Sequence, residues 1–214
     1  MKRSFHILSL VCALAIPPRL CAQTQTQASA VSTARFVYAE KLRIAGVPNS
    51  GKVNDHLYRG AQPTEEGLLS LKKLGITTIV DLRAENPAKI RWEEKQSESL
   101  GIRFVRIPVG GWSSPTDQQV GQFLSIFRDN PQERVFVHCH FGDDRTGVFV
   151  ASYRMAYEKI PAEQALKEMY YFGFHGFWHP SMATFVQNFP TQLATAPSLL
   201  SFKKCEVNLN CGAL

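Results

Sequence analysis

A stretch of β-branched and aromatic residues, Arg134-Val135-Phe136-Val137-His138, runs straight into Cys139-His140-Phe141-Gly142-Asp143-Asp144-Arg145-Thr146-Gly147, and an apolar helical pattern follows. Strand, tight loop and helix start are what this order of residues permits. The amides of such a loop converge on a point, and the helix N-terminus adds partial positive charge there, so a tetrahedral oxyanion fits without side-chain help. Cys139 opens the loop beside the same amides, an environment that favours the nucleophilic thiolate. Arg145 stands across the loop, where its planar fork suits two oxygens of a phosphate and gains most as charge spreads in a transition state. Gly142 lets the loop turn and lets its amide approach a ligand with no Cβ in the way.

Elsewhere the pattern alternates. It predicts a strand over 56–59, a helix opened by Pro63-Thr64 and ending near Leu74, and a strand over 77–82. A helix over 90–100, a strand over 103–107 and a helix over 116–128 follow, the last with Thr116 and Gln119 at capping-box spacing. Past the loop, helices are expected over 146–158, from Pro161 to about Tyr170, and from Ser181 onward. Strands alternating with helices imply an α/β class: one domain with a central, mostly parallel sheet flanked by helices.

The ends read differently. Over residues 1–22, Lys2 and Arg3 precede an apolar run over 7–16 and a small-residue stretch ending at Ala22, the layout of a signal peptide. The run is too short to be a stable membrane anchor. Residues 23–34 are small and polar and are expected to form a flexible leader. The domain is expected over 35–190 and a C-terminal tail over 191–214. Signal removal takes away Lys2, Arg3 and Arg19, turning 24 basic against 18 acidic residues into 21 against 18. That mildly basic balance suits an anionic small substrate. With no basic stripe interleaved with aromatics, it gives nucleic-acid binding no support. The expected location is secreted or periplasmic, where oxidising conditions favour a Cys205–Cys211 disulfide.

Six loop positions, His138, Cys139, Gly142, Arg145, Thr146 and Gly147, form a signature that resembles the protein tyrosine phosphatase superfamily and its dual-specificity branch. Upstream, His56-Leu57-Tyr58-Arg59-Gly60-Ala61-Gln62-Pro63, Leu71-Lys72-Lys73-Leu74-Gly75-Ile76 and Val80-Asp81-Leu82-Arg83 are similar to the N-terminal half of atypical dual-specificity phosphatases, including the plant and fungal type. The likeness covers residues 54–189. It implies a dual-specificity-phosphatase-like fold and hydrolysis of phosphate monoesters in two steps. Cys139 displaces the alcohol to form a phosphocysteine, which water then hydrolyses; neither step needs a metal or a cofactor. The same resemblance implies that Thr146 donates a hydrogen bond to the departing sulfur and that His138 orients the cysteine from beneath. His140, Phe141, Gly142 and Asp143 would surround the substrate, with Arg59, Gln62 and Arg83 at the pocket rim. The implied partner is a phosphorylated protein or a small anionic phosphate ester.

One part of the pattern is missing. The family usually supplies an Asp from a mobile loop about thirty residues before the cysteine, to protonate the leaving oxygen. Here that stretch is Pro108-Val109-Gly110-Gly111-Trp112-Ser113-Ser114-Pro115, without an acid. Asp117 is the nearest carboxylate, in a helix first turn where negative charge is favourable for dipole reasons alone. Asp144 is the other candidate, and myotubularin-like lipid phosphatases resemble this chain in having an Asp at that loop position. The plant and fungal type carries basic residues where this loop has acids, which argues against a highly charged inositol pyrophosphate. A rhodanese-like sulfurtransferase and a catalytically silent phosphate-binding module are the competing classes. A metal hydrolase built from His138, His140, His175 and His179 finds poor support, because Gly173, Gly176 and Pro180 make a weak helix of the last pair. His175, Phe172, Phe174, Phe177 and Trp178 are expected as packing or pocket-wall residues.

Overall fold

The computed structural model of the protein describes residues 36–203. The signal segment, the leader and the Cys205–Cys211 pair lie outside them. Two short strands, β1 (Glu40–Lys41) and β2 (Gly51–Lys52), precede β3 (Leu57–Gly60) and α1 (Glu65–Lys73). Then come β4 (Thr78–Arg83), α2 (Pro87–Ser99), β5 (Arg103–Val109), α3 (Asp117–Asp129) and β6 (Val135–His138). Helices α4 (Asp144–Tyr157), α5 (Ala162–Tyr171) and α6 (Pro180–Thr195) complete the chain, with a 3-10 turn at Leu200–Phe202.

The strands form one sheet in the order β1-β2-β3-β6-β4-β5. β3, β6, β4 and β5 run parallel, and only the β1-β2-β3 edge is antiparallel. The α/β class with a mostly parallel sheet is therefore the observed one. Helices cover both faces, as parallel sheets require. On one face Val135 and Val137 pack with α3, α4 and α6 through Phe123, Phe149 and Phe189. On the other, Phe136 packs with Leu68 and Leu71 of α1 and with Ile79. Each such fully buried side chain contributes roughly 1.5–3 kcal/mol. β6 lies between β3 and β4 with all four residues buried, so its carboxyl end, where Cys139 begins, is a fixed point of the molecule.

Three boundaries differ from expectation, each for a local reason. α2 starts at Pro87, three residues early, because the Asn86 side chain accepts from the Lys89 amide and Pro87 occupies the first turn. α4 starts at Asp144, so Arg145 belongs to its first turn rather than to the loop before it. The domain does not stop at residue 190: α6 continues to Thr195, and Leu199 and Phe202 join the main core. The expected capping box at Thr116 and Gln119 is present. Among the described residues, no helix is long and apolar enough to cross a membrane.

Candidate active site

The loop from Cys139 to Asp143 closes over the end of β6. Gly142 has φ +74°, and a Cβ there would come within 2.4 Å of the Gly60 backbone; only glycine fits. This contact presses the loop onto the end of β3 and turns the Gly142 amide toward Cys139 Sγ, 3.3 Å away. Cys139 is 2% exposed and lies among the lining residues of a cavity of about 670 Å³. Asp143 caps α4 by accepting the Asp144 amide at 2.7 Å, and burial pushes its carboxyl above the usual range.

Arg145, on the first turn of α4, points back into the same cavity. Its two terminal nitrogens each lie 2.8 Å from an oxygen of Glu85, and Nη1 also donates to the Val109 carbonyl at 3.1 Å. The hydrogen bonds from Arg145 hold the Glu85 carboxyl down at about 2, against the penalty of partial burial. No sequence motif marks Glu85. It sits in the connection between β4 and α2, sixty positions from Arg145, and no local spacing joins the two.

Under the loop lies a buried charge network. Arg83 donates to both Asp81 oxygens at 2.8 Å and to Glu93 at 2.6 Å. Glu93 in turn lies 2.9 Å from His138 Nε2. Burial opposes charge on His138, but Glu93 and then Asp81 outweigh it and hold the imidazole above its ordinary value. His138, the residue before the cysteine, is thus held by Glu93 of α2 and Asp81 of β4. A group whose folded pKa is raised contributes stability that is complete below its unfolded value of about 6.5 and is lost as pH rises through the folded value. Glu93→Gln is therefore expected to cost about 3–5 kcal/mol at pH 6, the range for breaking a buried pair. It should also flatten the decline that wild type shows toward alkaline pH, a comparison made by urea unfolding at several pH values.

The cavity mouth is aromatic. Trp112, Phe141 and Trp178 are 73%, 66% and 64% exposed and line it. Inside, the Asp144 carboxylate accepts the His175 amide at 2.9 Å, and its other oxygen lies 3.3 Å from His179 Nε2. The His179 ring packs against Trp112 with centroids 4.9 Å apart.

This arrangement of sulfur, amides and guanidinium can be set beside known proteins. Residues 31–183 match the family described as "DSP-PTPase phosphatase fused to NAD+ Kinase". The chain belongs to this family. Among its relatives, NAD kinase 2, chloroplastic, of Arabidopsis thaliana is 37% identical over 100 residues, 45% of this chain and 10% of that one. The dual specificity protein phosphatase TpbA of Pseudomonas aeruginosa is 30% identical over 127 residues, 59% of this chain and 55% of that one. The chain thus spans a tenth of the first relative and about half of the second. A crystal structure of a Cys-to-Ser TpbA variant in complex with phosphotyrosine superposes with a TM-score of 0.62 at 22% identity, covering 77% of this chain and 99% of that one. The core catalytic domain of a PP-IP phosphatase from S. cerevisiae gives 0.59 at 18%, covering 69% and 88%. At these identities the likeness is one of fold.

Against this phosphatase frame the sequence-derived residues divide. Cys139, His140, Phe141, Asp143, Asp144 and Arg145 line the cavity. Thr146 lies under it with its hydroxyl buried and unpartnered among the described residues. Asp117 opens α3 and is not among the lining residues, and Gln62 lines a neighbouring groove. Arg59 and Arg83 require correction: both were expected at the rim, and both are fully buried. Arg83 is consumed by Asp81 and Glu93, and Arg59 lies under the loop on a strand that is buried along its whole length. The expected wall residues also split. His175 and Trp178 line the cavity, Phe172 and Phe174 are buried packing, and Phe177 is neither, being exposed and off the cavity wall.

Among the described residues, two groups place metal-type donors close together: Asp81, Glu93 and His138, and Asp143, Asp144 and His175. The first already encloses the Arg83 guanidinium, which takes the place of a cation. The second is partly exposed at the cavity wall, and its carboxylates are engaged by the Asp144 and His175 amides.

Proposed function

We propose that this chain hydrolyses phosphate monoesters, aryl esters of the phosphotyrosine kind foremost, through a phosphocysteine on Cys139. The observation that carries the reading is the sulfur facing the Gly142 amide at the base of a cavity shared with Arg145. In the first step Sγ bonds to phosphorus as the ester oxygen leaves. In the second, water bonds to phosphorus and the sulfur departs, with the Thr146 hydroxyl as its hydrogen-bond donor. Arg145 and the loop amides hold the three remaining oxygens, whose charge is greatest in the transition state. The aromatic mouth suits a phenyl ring better than a polyanion, and Glu85, Asp143 and Asp144 around it disfavour further phosphates. The phosphotyrosine bound to TpbA supports the same substrate class.

The proton for the leaving oxygen comes, in this reading, from the Asp144–His179 pair. Both line the cavity and lie within reach of one another, whereas Asp117 is not on its wall. The test compares phosphate release from p-nitrophenyl phosphate, a phosphotyrosine peptide and a phosphoserine peptide, in the presence of a chelator. Asp144→Asn and His179→Gln should each lower turnover about 10²-fold on the alkyl ester, whose leaving group needs a proton, and much less on p-nitrophenyl phosphate. Equal losses on both substrates would remove the pair from the acid role, and no release from any ester would remove the phosphatase reading. Export is part of the same proposal and rests on the order of charged, apolar and small residues over 1–22. Fusing that segment to a reporter active only outside the cytoplasm measures it directly.

A further inference from the structure

Arg59 is 0% exposed, and no carboxylate among the described residues lies within ion-pair distance of it. Its Nη2 donates to the Gly142 carbonyl at 2.8 Å, and its guanidinium carbon sits 3.9 Å from the centre of the Phe172 ring. Nε and Nη1 have no hydrogen-bond partner among the described residues. A buried charge without a counterion is costly, so such groups ordinarily occur paired. Burial pushes the guanidinium down to about 10, which still leaves it charged at neutral pH.

Three groups of opposite sign bear on Arg59 from the elements packed around it: Glu168 of α5, the Cys139 sulfur beyond β6, and Asp143 at the start of α4. Glu168 is committed to Arg154 and to the Ala39 amide. Asp143 is committed to the Asp144 amide and faces His175. Cys139 has on its other side Arg145, whose fork is taken by Glu85, and the His138 network below is balanced by Glu93 and Asp81. Arg145 still bears on the sulfur from that side, and from below the unpaired Arg59 cation and the sulfur meet across a single residue. Gly142 turns its carbonyl to Arg59 and its amide to Sγ.

We propose that Arg59 is a positioning residue that keeps Cys139 in the thiolate form, a buried countercharge acting on the sulfur from beneath the loop. The inference rests on the phosphatase reading, in which the thiolate is the nucleophile, and it gives a fully enclosed arginine a place in the chemistry.

The experiment follows the rate of iodoacetamide alkylation at Cys139 against pH, located by mass spectrometry, in the full chain and in two variants. Arg59→Gln keeps a donor for the Gly142 carbonyl and removes the charge; Arg59→Lys keeps the charge and loses the planar fork. The midpoint should rise by about one pH unit in Arg59→Gln and stay near wild type in Arg59→Lys, although both lower the melting temperature. A merely structural arginine would move the melting temperature in both and the midpoint in neither. An unmoved midpoint in Arg59→Gln, or a Lys variant displaced as far as the Gln variant, overturns the proposal. Should Arg59→Gln not fold, Arg59→Met, which fills the space beside Phe172 without a charge, takes its place: its midpoint should rise as predicted for Arg59→Gln, and an unmoved midpoint overturns the proposal. A wild-type Cys139 that alkylates like a free cysteine would count against the phosphatase reading, an outcome distinct from either result on Arg59.

Discussion

Cys139→Ser is expected to lower phosphate release by at least about 10⁴-fold, the scale seen when an enzyme loses its nucleophile, while inorganic arsenate still binds. The two halves of this result have different origins. A serine hydroxyl is neutral at pH 7 and a far weaker nucleophile than a thiolate, so the attack on phosphorus fails. The oxyanion cradle is made of loop amides, the α4 N-terminus and Arg145, all of which remain in the variant, so binding persists. Single-turnover assays and calorimetric titration with arsenate measure the two separately. Retained turnover would mean that another group attacks phosphorus. Loss of arsenate binding along with turnover would mean that the sulfur holds the loop in shape, through its contact with the Gly142 amide.

Arg145→Lys keeps the charge in the cavity and should still reduce turnover about 10³-fold, mainly in kcat. The fork matters more than the charge. In the resting site its two terminal nitrogens meet two carboxylate oxygens of Glu85 at equal distances, a geometry that two equatorial oxygens of a phosphoryl group would reproduce. An ammonium meets one oxygen at a time, and its single point of contact does not follow the charge as it spreads during transfer. Steady-state kinetics on a phosphotyrosine peptide checks this. If KM rises and kcat is unchanged, the guanidinium binds substrate and transition state alike, and its part in the chemistry is refuted.

Much of the site was legible because its chemistry is local. Cys139, Gly142 and Arg145 stand within seven residues of one another, and the strand before them and the helix after them announce themselves by composition. The parts that were missed are those that arrive from elsewhere in the chain. Glu85 reaches Arg145 from the loop after β4, and Glu93 reaches His138 from the buried side of α2. Neither differs, in sequence, from an acid on an ordinary solvated surface. Arg59 and Arg83 were misread for a related reason. Arginine in a short strand usually marks an exposed position, but β3 pairs on both sides, with β2 and with β6, and helices cover both faces of β4, so neither strand offers its arginine to solvent. His179 was read as part of a weak helical metal pair; its role depends on Asp144 and Trp112, which come from two other segments. The start of α2 is a different case, since Asn86-Pro87 is itself a local start signal, a side-chain cap followed by a proline in the first turn.

The clasp between Arg145, Glu85 and the Val109 carbonyl shapes what the cavity admits. Arg145 holds the Glu85 carboxyl well below its ordinary range, so an incoming phosphate competes with a carboxylate for the same fork. Whatever is released by parting that clasp is subtracted from the visitor's affinity. A bare inorganic anion has nothing further to offer and holds on weakly, while an ester that also lays a ring against Trp112 and Trp178 recovers the difference. Parting the Arg145–Glu85 clasp thus sets a threshold that aromatic phosphate esters are expected to pass more readily than inorganic anions.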